Sequence, residues 1–87
     1  MFYYVYILRS QKDQSLYIGY TSDLRKRFQQ HNTGKSQSTK SFRPYVLIYY
    51  EAFLHRIDAK NREVYLKSGY GRKTIYTLLK RYFKTEL

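Results

Sequence analysis

The stretch FYYVYILRSQKDQSLYIGY, residues 2–20, decides how this chain reads. Residues 2–9 are β-branched and aromatic, the composition of a strand. Strand alternation turns Phe2, Tyr4, Tyr6 and Leu8 to one face and Tyr3, Val5 and Ile7 to the other. Residues 10–14 are polar and suit a hairpin connection, and residues 15–20 read as the returning strand. Gly19 inside that strand predicts a bulge or a close approach by another group. A four-residue connection, Ser10 to Asp13, pairs Arg9 with Gln14 and so sets Tyr6 opposite Tyr17 on one face of the sheet. These phenols either pack, or stack on a ligand, or react.

Downstream, Thr21 or Ser22 can cap a helix with Asp23 in its first turn. That helix is expected to run to about Asn32 and stop at Gly34. Leu24 and Phe28 form its apolar stripe, and Arg27 and His31, also four apart, flank the stripe together. Residues 34–43, GKSQSTKSFR, have the character of an exposed, mobile, basic loop. Pro44 then opens YVLIYYEAF, whose two apolar faces predict a central strand. Residues 58–68 read as a helix capped by Asp58, with Gly69 just past its end. A last helix is expected from about Arg72 to Thr85, with Ile75, Leu78, Leu79, Tyr82 and Phe83 as its stripe. The fold class is therefore α+β: a small three-stranded antiparallel sheet packed by three to four helices, in one domain over residues 1–87.

Composition narrows the chemistry. With 87 residues and no cysteine, the chain has one small core and neither disulfides nor thiolate-bound zinc. His31 and His55 are its two histidines, so a histidine-rich metal cage is excluded. No apolar run approaches the ~20 residues of a membrane span. The N-terminus lacks a basic-then-apolar layout with a cleavage site, so the expected address is the cytoplasm. Seventeen Lys and Arg oppose six Asp and Glu, for a net charge of +11. Between Asp23 and Glu51 there are six basic residues and no acid, and the same holds between Glu63 and Glu86. Such a surface attracts polyanions, of which nucleic acid is the commonest. Among the cations of these runs, Arg25, Lys26, Lys35, Lys40, Arg43, Arg72 and Lys73 are the candidate phosphate contacts.

Four positions do not look like plain packing: Tyr6, Tyr17, Arg27 and Glu63. Glu63 shares a helix face with Ala59 and Leu66, where a carboxylate needs a partner or a metal. The alternative is a half-exposed Glu63 paired with Lys60 or Lys67 at helical spacing. Arg27 lies nearer the apolar stripe than Arg25 and Lys26, and an arginine so held usually has an anionic partner. Its alternative is a solvated basic face. For Tyr6 and Tyr17, packing and base stacking both compete with catalysis.

Tyr-Val-Tyr at 4–6, Tyr-Ile-Gly at 17–19, and Thr-Ser-Asp-Leu followed by Arg27 and His31 resemble the GIY-YIG nuclease family. YVY stands in place of GIY, and YIG is intact. The runs YIGYTSDLRKRFQQHNTGK and VYLKSGYGRKTIYTLLKR also resemble its small stand-alone members, so the likeness covers nearly the whole chain. The resemblance implies a DNA endonuclease using one divalent cation, Mg²⁺ or Mn²⁺. It implies that Tyr6, Tyr17, Arg27 and His31 are catalytic positions and that Glu63 is both catalytic and the single metal ligand. It leaves open which of Tyr6, Tyr17 and His31 takes the proton. A free phenol titrates near ~10, so a tyrosine base needs nearby positive charge, which Arg27 and the metal would supply. Two departures stand out: Tyr4 replaces the first glycine, and no asparagine follows Asn61, where several active members carry one. A non-catalytic nucleic-acid-binding module and an RNA-directed nuclease are the alternatives.

Overall fold

The structure, a computed structural model, describes residues 1–85. Strands β1 (Tyr3–Ser10), β2 (Leu16–Thr21) and β3 (Tyr45–Phe53) form an antiparallel sheet in the order β2-β1-β3. The strand expected at the centre, β3, is therefore an edge. Its Val46 and Tyr50 reach solvent, whereas β1 is buried from Val5 to Ser10. Two apolar faces report cover above and below a strand, not neighbours on both sides.

The hairpin register also differs from expectation. Arg9 pairs with Leu16, so Tyr6 faces Gly19 and Tyr17 faces Leu8. The connection is longer because Asp13 organises it: its Oδ1 accepts from the backbone and the hydroxyl of Ser15, and Gln14 takes a positive φ of 67°. A slip by an even number of residues keeps every side chain on its face. Tyr6 and Tyr17 thus remain together as diagonal neighbours, with ring centroids 6.4 Å apart.

Helix α1 (Leu24–Asn32) is capped by Asp23, whose Oδ1 accepts from the Lys26 amide at 3.1 Å. The expected caps fail because Thr21 still belongs to β2 and binds the Asp23 amide through its hydroxyl. Helix α2 (Arg56–Lys67) begins two residues before Asp58, with the His55 ring as cap. The last expected helix is two: α3 (Gly69–Leu78), capped by Ser68, and α4 (Lys80–Thr85), broken at Leu79. Gly71 lets α3 touch the end of α2, since a Cβ there would collide with the Tyr65 carbonyl and the Leu66 backbone. Among the described residues no helix is long and apolar enough to cross a membrane.

Helices cover both faces of the sheet. Val5, Ile7 and Ile18 meet Ala59 and Leu66 of α2 and Ile75 of α3. On the other face, Tyr6, Leu8 and Tyr45 meet Tyr17 and the Leu24 and Phe28 stripe of α1. Asn32 fastens the end of α1 to the start of β3. Its Oδ1 accepts from the Tyr45 amide at 2.6 Å, and its Nδ2 donates to the Tyr45 carbonyl at 3.0 Å.

Candidate active site

The candidate side chains on β1, β2 and α1 are placed by local rules. Parity on β1 and β2 turns Tyr6 and Tyr17 to the α1 side. The four-residue spacing on α1 brings Arg27 and His31 down beside them. Gly19 makes the close approach possible, because a Cβ at that position would land on the Tyr6 phenol. The glycine is read correctly as a close approach; there is no bulge in this strand pair, and the irregularity lies between β1 and β3 at Ile7/Leu8.

Tyr6 is 1% exposed, and its hydroxyl lies 2.7 Å from Nε2 of the fully buried His31. His31 Nδ1 is 2.7 Å from Thr39 Oγ1. Thr39 Oγ1 is in turn 3.5 Å from the Ser36 carbonyl. A carbonyl can only accept, so the Thr39 hydroxyl donates to it. The same oxygen then accepts from His31 Nδ1–H, which leaves Nε2 bare to accept from Tyr6. The chain Tyr6→His31→Thr39→Ser36 carbonyl has one consistent direction. Titration agrees with it. Burial, with Arg27 nearby, drops His31 to about 4, so the ring is neutral. Burial pushes the Tyr6 phenol up to about 12, so it keeps its proton. Charge on Tyr17 and Glu63 adds to that rise, and the Arg27 guanidinium opposes it.

The Tyr17 ring lies 4.9 Å from the His31 ring, centroid to centroid, and is less buried than Tyr6. Arg27 donates from Nη1 to Gln30 Oε1 at 3.0 Å and from Nη2 to Ser36 Oγ at 3.1 Å. Both acceptors are neutral, so the anionic partner expected for Arg27 is not found among the described residues. Glu63 shares its face of α2 with the buried Ala59 and Leu66, and its side chain is only 16% exposed. It accepts from Lys67 Nζ at 3.0 Å. Lys60 instead lies over the Tyr20 ring.

The loop after α1 is neither wholly exposed nor shapeless. Residues Lys40–Phe42 form a 3-10 turn, and Ser36 and Thr39 are buried against Arg27 and His31. Sequence reasoning missed both, since hydroxyl residues in a basic polar run look like solvated loop. Asn32 was missed for a similar reason: its neighbour Tyr45 is distant in sequence. Among the candidate phosphate contacts, Arg25, Lys26, Lys35, Lys40 and Arg43 are exposed on α1 and the loop that follows it. Arg72 and Lys73 are exposed on α3, in the helical layer across the sheet from the Tyr6 face.

A small α+β scaffold carrying a buried Tyr6–His31 hydrogen bond is the class these features define. The family model described as the GIY-YIG catalytic domain matches residues 2–76. The chain belongs to the GIY-YIG family, whose nucleases bind nucleic acid and generally use a divalent metal. It is similar to a UPF0213 protein of Staphylococcus haemolyticus, 45% identical over 67 residues, which span 76% of this chain and 80% of that one. A UPF0213 protein of Clostridium perfringens is 45% identical over 65 residues, covering 74% of this chain and 69% of its own. The solution NMR structure of the UPF0213 protein BH0048 from Bacillus halodurans superposes with a TM-score of 0.57 at 33% identity, covering 90% of this chain and 85% of that one.

Proposed function

We propose that this protein is a divalent-metal-dependent endonuclease that hydrolyses phosphodiester bonds in DNA. One observation carries the reading. The buried Tyr6 hydroxyl is bound by the buried His31 at 2.7 Å, the Tyr17 ring lies 4.9 Å from that histidine, and Arg27, one helical turn before it, holds only neutral acceptors. Packing alone has no use for that convergence.

The donor set fits one kind of metal. Among the described residues no three His, Cys, Asp or Glu side chains gather to cage an ion. A single mostly buried carboxylate, Glu63, suits a hard cation that keeps most of its water, such as Mg²⁺ or Mn²⁺. Bound there, the ion would stabilise negative charge on the phosphate and the leaving oxygen. Arg27 binds a phosphate oxygen through its fork, exchanging neutral acceptors for an anionic one. Tyr6 donates to His31, which leaves its oxygen lone pairs to accept from the attacking water and orient it. With Tyr6 held protonated, Tyr17 is assigned the role of general base, and His31 holds Tyr6 in place. The exposed cations of α1 and residues 34–43 bind the flanking backbone, in a salt-dependent way.

A second reading, a non-catalytic nucleic-acid-binding module, is favoured by the Lys67–Glu63 ion pair, which already neutralises the carboxylate. Cleavage assays separate the two. Labelled duplex, branched and single-stranded DNA, and RNA, are incubated with and without Mg²⁺ or Mn²⁺, beside Glu63→Ala and Tyr17→Phe. Metal-dependent cleavage of DNA that both variants lose supports the nuclease. No cleavage with metal, or full activity in Glu63→Ala, overturns it. Cleavage confined to RNA overturns the DNA assignment.

A further inference from the structure

On the Tyr6 face, between α1 and β3, lies a cleft of about 470 Å³ that the catalytic residues do not use. Its walls are Tyr4, Tyr50, Leu47 and Phe28, and its rim carries Asp23 and Arg25. Tyr50 pairs directly with Tyr6 across the β1–β3 ladder. The Tyr50 backbone therefore lies one strand, roughly 5 Å, from that of Tyr6, while the Tyr6 hydroxyl itself sits over Gly19 of β2.

We propose that this cleft receives one unpaired nucleobase of DNA, from a nucleotide next to the bond that is cut. This rests on the nucleic-acid reading above and deepens it. The aromatic walls supply the stacking surface. Tyr4 and Tyr50 meet edge to face, with centroids 6.0 Å apart and planes at 65°. Tyr50 is 53% exposed, so it presents open ring surface to the cleft mouth. A tyrosine ring left bare beside a +11 surface is what a stacking platform requires, because every base has a π-face.

Asp23 decides between base and phosphate. A carboxylate on the rim repels the backbone, so a phosphate does not enter. It can instead accept from a base N–H. One of its oxygens caps α1, and the other carries no protein hydrogen bond among the described residues. Each of the four bases offers an N–H donor on its pairing edge only when unpaired. The carboxylate thus reads the absence of a partner strand rather than base identity. Exposed Arg25, on the same rim, meets the phosphate that stays outside.

Binding without metal tests this apart from cleavage. A short labelled single strand of mixed sequence is compared with the same backbone made wholly abasic and with its duplex, by fluorescence anisotropy in EDTA. The parent should hold the base-bearing strand roughly tenfold tighter than the abasic one. Tyr50→Ala should lose that gap while keeping the abasic affinity, and Tyr50→Phe should retain it. Melting curves confirm that both variants fold, as expected for a half-exposed side chain. Equal parental affinity for the two strands, or a gap that survives Tyr50→Ala, overturns the proposal. The two readings fail separately: cleavage with Mn²⁺ but no gap removes only the base site, and a gap without cleavage removes only the nuclease.

Discussion

The ring of Tyr6 occupies the space that any side chain at Gly19 would need. The two residues are direct partners across the β1–β2 ladder, so their backbones are held together and any conflict falls on the phenol side chain. The glycine of the YIG tripeptide is thereby tied to the tyrosine of the first one. Gly19→Ala should therefore push the phenol away from His31. Overpacking of this kind destabilises by about 1–3 kcal/mol. Denaturant melts should show that loss, and the His31 ring signals in NMR should shift with it. Unchanged His31 signals in a folded Gly19→Ala protein would contradict the coupling.

Acid should unfold the protein partly through His31. Its folded value is about 4, against 6.5 in the unfolded chain. Between those values the unfolded chain binds a proton that the folded chain refuses. Stability from this group is complete above pH 6.5 and falls as the pH drops towards 4, by about 3 kcal/mol. The measurement is the difference in stability between the parent and His31→Gln across that window. A difference that does not change with pH would sink the assignment of a buried neutral ring.

Thr39 should control which nitrogen of His31 carries the proton. Thr39→Val keeps the shape but removes the acceptor for Nδ1–H, and a buried polar group left without a partner costs about 1–3 kcal/mol. Nitrogen-15 shifts of the ring report the tautomer directly. They should indicate Nδ1–H in the parent and in Thr39→Ser, and a mixture or a switch in Thr39→Val.

Arg27→Lys should not restore what Arg27→Ala removes. The guanidinium reaches Gln30 and Ser36 with two different nitrogens, and a lysine offers a single point charge. In the proposed nuclease both variants should lose cleavage by a similar large factor while Tm moves little. A lysine variant with near-parental rates would show that charge alone is needed.

Removing Asn32 should loosen the site from a distance. Asn32→Ala leaves the Tyr45 amide without its short bond and frees the start of β3 from α1. A stability loss of about 1–3 kcal/mol is expected, with faster amide exchange at Tyr45 than at Ile7 in the strand centre.

Much of this architecture is legible in the chain, for reasons that can be named. Face assignment on β1 follows from parity, which survives a register slip of two residues. Parity alone therefore places Tyr6 and Tyr17 together, whichever of the two registers the turn selects. The register itself depends on Asp13 bonding Ser15, a turn chemistry that composition does not specify. Strand order is invisible to periodicity, so the two apolar faces of β3 do not tell an edge from a centre. Helix starts were displaced because several residues near each start could cap, and tertiary position chose among them. Ser36 and Thr39 stayed hidden because their burial depends on what they bind, not on what they are. The partner of Glu63 is narrowed by sequence to Lys60 or Lys67, since spacing along one helix is fixed by its pitch, and the structure takes Lys67.

The hydrogen-bonded row that ends at the Ser36 carbonyl has a bearing on how freely the chain can drift. The group that sets the row's direction is a main-chain oxygen, which every amino acid supplies. A substitution at position 36 that preserves the turn would leave the tautomer of His31 and the proton on Tyr6 as they are, forfeiting the contacts of the Ser36 hydroxyl with Arg27 and Ser38. Position 39 has no such latitude, because a hydroxyl there must both accept and donate. Mutational scanning of the loop should therefore find two buried hydroxyl positions three residues apart with unequal tolerance, the second far stricter than the first.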